Sequence, residues 1–157
     1  MSDDLEHVSA ELLARLVKQK SSSSQIGPTQ ELGGIARASA LLEKLLRLVL
    51  KDMAEAMDAT ADALVTRTKG EPVNLNRATG GLLLSALKLT TQETAAESPC
   101  VRMIVREVCL PNNRILRVIK ARNKTIHGTN EPASARTALV DLKSLIEEYR
   151  RDAGWET

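Results

Sequence analysis

Apolar residues recur at three- and four-residue intervals through most of this chain, which is the signature of helices that each bury one face. Leu5, Val8, Leu12 and Leu16 predict a short amphipathic helix over residues 4–20. Ser21 to Ser24 and Gly27-Pro28 then have no packing capacity and read as a linker. This pattern divides the chain into an N-terminal helix with linker, 1–28, and a helical domain, 29–157. From about 30 to 66 the positions Ile35, Leu42, Leu46, Val49, Met53, Met57 and Leu64 predict one long helix. A second face through Leu41, Leu45 and Leu48 widens its stripe, so it belongs at the centre of the fold or at a subunit contact.

Gly70 and Pro72 interrupt the pattern, and Asn76 or Thr79 can cap a shorter helix through Leu82, Leu83, Ala86 and Leu89. Ser98-Pro99 is a helix start, with Val101, Ile104, Val105 and Val108 on the buried face. Leu110-Pro111-Asn112-Asn113 breaks or kinks that helix, and either Asn can cap the next stretch. Ile115, Val118, Ile119 and Ile126 mark the inner side of that stretch, and Gly128 its end. A last helix, about 131–151, uses Ala135, Leu139, Leu142, Ile146 and Tyr149. The expected fold is all-α: an up-and-down bundle of four core helices plus the N-terminal one, the third kinked near Pro111.

Composition sharpens this picture. Phe is absent and the only large rings are Tyr149 and Trp155, so the core is aliphatic. That argues against single-strand binders that stack bases on aromatic platforms. A net charge of +2 does not by itself mark a nucleic-acid binder. Between Cys100 and Gly128, however, the charged residues are Arg102, Arg106, Arg114, Arg117, Lys120, Arg122 and Lys124 against the lone acid Glu107. Cys100 and Cys109 lack zinc-site neighbours and read as buried thiols. Asp3, Asp4 and Glu6 have the wrong sign for a signal peptide, and no apolar run reaches membrane-spanning length. A cytoplasmic protein is expected. His7 reads as a surface residue, and Met53, Met57 and Met103 as core filler.

The candidate chemistry lies in Arg122-Asn123-Lys124-Thr125-Ile126-His127-Gly128. A fixed cation and an imidazole able to move protons near neutral pH suit cleavage or transfer at a phosphodiester. Arg114, Arg117, Lys120 and Lys124 follow spacings of three, three and four, forming a basic stripe along which RNA phosphates could lie. Arg122 stands three or four positions from Val118, Ile119 and Ile126, which turns it toward an apolar surface. Two uses fit an Arg there: an ion pair with an acid of the long helix, such as Glu43, Asp52 or Glu55, or an anion clamp at a site or dimer seam. On an ideal helix Arg122 and His127 point about 140° apart. They converge only if the helix ends before His127, or if two copies combine their residues about a two-fold axis.

At these residues the chain resembles the HEPN superfamily, small helical domains marked by an Arg, a spacer of four to six residues and a His. Arg122, Asn123 and His127 fill the motif with a four-residue spacer, and the resemblance spans roughly 30–152. It implies a metal-independent endoribonuclease, needing no cofactor and acting as a homodimer with a composite active site. His127 would take the proton of a ribose 2′-hydroxyl, Arg122 would stabilise the phosphorane and Asn123 would orient the phosphate or the His. Members commonly act as toxins or antiviral defence effectors, often silenced by an inhibitory or sensor protein. Others serve as nucleotide-binding or scaffolding domains. The contrasting expectation is a non-catalytic helical adaptor whose basic third helix and N-terminal arm bind a partner protein or nucleic acid. Under either expectation the N-terminal helix swaps onto a second subunit or docks on a partner.

Overall fold

The structure, a computed structural model, describes residues 2–22, 28–94, 98–126 and 132–155. Among these residues seven α-helices and one 3₁₀ turn account for the regular structure: α1 (Ser2–Ser22), α2 (Pro28–Ala56), α3 (Ala61–Lys69), the 3₁₀ turn (Leu75–Arg77), α4 (Gly80–Thr91), α5 (Pro99–Val108), α6 (Arg114–Ile126) and α7 (Pro132–Asp152). The all-α expectation holds. No strand occurs among the described residues.

The long helix expected over 30–66 is two helices. Asp58 adopts a left-handed φ of 56°, and the turn closes with Asp58 N–H donating to Glu55 O and Ala59 N–H to Ala54 O. This is a Schellman stop, which satisfies carbonyls at the end of α2. Thr60 then restarts the chain as the cap of α3, its hydroxyl accepting from Ala63 N–H.

Centrality of α2 follows from its wide stripe. Leu42, Leu45, Leu46, Val49, Leu50 and Met53 are all buried, against α1, α3, α4, α6 and α7. Thr79 caps α4 by accepting from Leu82 N–H, as its sequence context suggested. Cys109 to Asn113 leave the helical path, so the stretch expected to kink near Pro111 is built as the separate helices α5 and α6. Asn113 Oδ1 accepts from Leu116 N–H at 2.8 Å and Asn112 sits at φ 51°, making the corner.

The N-terminal helix is not a loosely attached arm. Leu5, Val8, Leu12 and Leu16 are buried in the same core as α2 and α7. Each such burial contributes about 1.5–3 kcal/mol. Arg150 of α7 adds a polar tie, donating to Glu6 O at 2.9 Å and to Ser9 Oγ at 2.7 Å. Tyr149, fully buried, meets the Trp155 ring edge-on at 5.6 Å between centroids.

Candidate functional site

Helix α6 carries the described part of the motif. Ile115, Val118, Ile119 and Ala121 are buried, which fixes the rotation of the helix and brings Arg122 to the edge of its buried face. The Arg122 side chain remains 35% exposed, with Nη1 3.9 Å from Glu43 Oε1 of α2. Of the three acids proposed to face it, Glu43 is therefore the one it meets. At 3.9 Å the pair is Coulombic rather than a hydrogen-bonded fork. Asn123 is exposed. The helix continues through Ile126, while His127, Gly128 and the Lys124 side chain lie outside the described residues.

The basic stripe divides. Arg114 Nη2 donates to Glu107 Oε1 at 2.9 Å, its Nη1 lies 2.7 Å from Glu148 Oε2, and its backbone N–H donates to Glu107 Oε2 at 2.7 Å. That guanidinium thus ties the first turn of α6 to α5 and α7. Burial pushes the Glu107 carboxyl up, but hydrogen bonds and charge from Arg114, with charge from Arg117, outweigh it and hold its pKa below the usual value. The same hydrogen bond to Glu107 raises the Arg114 pKa against its own burial. Arg117 is paired with Asp141 of α7 at 2.8 Å. Lys120 is exposed, as are Arg102 and Arg106 of α5.

Sequence reasoning missed Arg47. Its Nε donates to Leu75 O at 3.1 Å and its Nη2 to Ala78 O at 3.0 Å, pinning the 3₁₀ turn, while Nη2 also lies 3.7 Å from Glu43 Oε2. The Glu43–Arg47 spacing of four on α2 was the available signal. Gly80, the first residue of α4, approaches the same carboxylate so closely that a Cβ there would stand 3.2 Å from Glu43 Oε1. The site around Arg122 is therefore built from α2, the start of α4 and α6.

Two further observations bound the chemistry. Cys109, expected to be buried, is exposed because it follows the last turn of α5; its Sγ lies 3.5 Å from Thr91 Oγ1. A hollow of about 270 Å³ is lined by Asp52, Met53, Glu55, Ala56 and Ser98, two of them acidic. Among the described residues, no three His, Cys, Asp or Glu side chains are grouped to hold a metal ion, and no helix is long and apolar enough to cross a membrane. No family model, curated protein or solved structure matches the chain.

Proposed function

We propose that this chain is a metal-independent endoribonuclease of the HEPN type, an up-and-down bundle working as a homodimer whose two motifs form one cleft. His127 takes the proton of a ribose 2′-hydroxyl. The freed oxygen bonds to the adjacent phosphorus, the P–O5′ bond breaks, and the departing 5′-oxygen receives a proton. Arg122 stabilises the charge that builds on the phosphorane, and Asn123 orients the phosphate or the imidazole. The products are a 2′,3′-cyclic phosphate and a 5′-hydroxyl. Action as a toxin or antiviral defence effector, held silent by a protein partner, belongs to the same reading.

One observation carries it: Arg122 keeps a third of its side chain open, and its acidic neighbour Glu43 stands beyond hydrogen-bond distance. A cation held in that way can still accept a phosphate. The exposed Asn123 stands next to it, and α6 runs to the residue before His127.

A second reading, a non-catalytic adaptor, draws support from the engagement of Arg114 and Arg117 by Glu107, Glu148 and Asp141. Purified protein incubated with RNA in EDTA separates the two. Ribonuclease action yields cyclic-ended fragments, leaves DNA intact, and is abolished in His127→Ala and Arg122→Ala while helicity is kept. Intact RNA at high protein concentration sinks the ribonuclease reading in favour of the adaptor.

A further inference from the structure

Glu43 occupies an unusual place for a carboxylate. Its two oxygens are divided between two guanidinium groups, Oε2 standing 3.7 Å from Arg47 Nη2 and Oε1 3.9 Å from Arg122 Nη1. Neither separation is a hydrogen bond, so both attractions act through charge alone. The two arginines are not equivalent. Arg47 is fastened by the carbonyls of Leu75 and Ala78, whereas Arg122 has a partly open side chain at the edge of α6.

The carboxylate itself has little freedom. Its side chain is only 15% exposed, Arg47 draws on one oxygen by charge, and the other lies 3.2 Å from where a side chain at Gly80 would begin. Largely shielded from water and flanked by two cations, it acts on Arg122 at close range. A phosphate reaching Arg122 meets a cation whose field is already partly cancelled from behind.

We infer that Glu43 is a built-in competitor for the Arg122 guanidinium, a positioning residue that weakens the grip of Arg122 on an oligonucleotide phosphate. The inference rests on the ribonuclease reading for the identity of the anion as an RNA phosphodiester. Its physical content, a charge competition between Glu43 and phosphate at Arg122, can be read without any cleavage. A fixed counter-ion of this kind favours release of the cleaved strand and keeps Arg122 aligned between encounters.

The test measures binding of a short single-stranded deoxyoligonucleotide, which keeps the phosphates and lacks the 2′-hydroxyl. Glu43→Gln preserves side-chain size beside Gly80 and should tighten binding by about two- to fivefold at low salt. The gain should shrink as ionic strength rises. Glu71→Gln, at an exposed acid paired with Lys69, controls for net charge. Arg122→Gln, at a partly exposed position, should erase the effect of Glu43→Gln when the two are combined. Circular dichroism establishes that each variant is folded. Tightening equal to that of Glu71→Gln, tightening that survives Arg122→Gln, or no binding by any variant overturns the inference. Intact RNA beside the expected binding pattern instead removes the ribonuclease reading and leaves the charge competition standing.

Discussion

The Arg150 guanidinium of α7 donates to Ser9 Oγ at 2.7 Å, joining the last helix to the first across 141 residues of chain. Ser9 is fully buried and Arg150 nearly so, and the same Nη1 also reaches Glu6 O. Losing the hydroxyl takes an acceptor from a buried cation, so Ser9→Ala should cost about 1–3 kcal/mol. Urea unfolding measures the loss. Trp155, whose ring lies 5.7 Å from the Arg150 guanidinium carbon, is the only tryptophan and supplies the fluorescence signal. An unchanged midpoint would show that the Ser9 hydroxyl adds nothing to the hold on α1, leaving its apolar face and the Arg150–Glu6 bond.

Acid should weaken the α5–α6 corner through Glu107. Its folded-state pKa lies below the usual carboxylate value because the hydrogen bonds and charge of Arg114, with the charge of Arg117, outweigh the opposing cost of burial. The contribution is thus fully present above the unfolded value of 4.5 and is lost as pH falls through the lower folded value. Glu107→Gln should reduce stability at neutral pH by about 1–3 kcal/mol, since Arg114 loses its charged acceptor. It should also flatten the acid limb of the stability curve below pH 4.5, where the wild type alone still gives up this carboxylate. Denaturation midpoints at pH 7 and across the acid range check both parts, and parallel acid limbs would reject the assignment.

Much of the helical frame was legible because burial follows strict periodicity. Ile115, Val118 and Ile119 of α6 and Leu139, Leu142, Ile146 and Tyr149 of α7 are buried as their spacing requires. Caps at Thr79 and Asn113 carried readable side-chain chemistry. The end of α2 did not, because Met57, Ala61 and Leu64 continue the apolar spacing across a turn whose left-handed residue is Asp58, not Gly. Docking of α1 was illegible because an apolar stripe does not name what covers it. At the candidate site the inward turn of Arg122 followed from Val118 and Ile119, but choosing Glu43 over Asp52 and Glu55 needed the packing of α2 on α6. Likewise, the spacing of Arg114 and Arg117 could not reveal that Glu148 and Asp141 oppose them from α7.

The Asp58 turn makes its own prediction. An L-residue at φ 56° carries a steric cost that glycine lacks, partly relieved for Asp. Asp58→Gly should raise stability by up to about 1 kcal/mol, after allowance for the greater freedom of glycine in the unfolded chain. Asp58→Val, β-branched and poorly suited to this region, should lower it by about 1–2 kcal/mol. Thermal melting of the three proteins gives the order directly. A Val variant as stable as the wild type would mean that α2 runs on through this residue.

Gly80 brings α4 close to both α6 and the carboxylate that faces Arg122. A Cβ at this position would stand 3.1 Å from Ile119 Cγ1, 3.2 Å from Ile119 Cδ1 and 3.2 Å from Glu43 Oε1. Alanine would ordinarily favour a helix over glycine by up to about 1 kcal/mol, less in the first turn. Against this, Ile119 is packed in the core and Glu43 is hemmed in by Arg47, so neither contact can retreat freely. Overpacking of this kind costs about 1–3 kcal/mol, so Gly80→Ala should be net destabilising. A lower melting temperature for Gly80→Ala, with a further drop for Gly80→Val, is the expected result. A rise instead would mean that α4 and α6 separate at little cost.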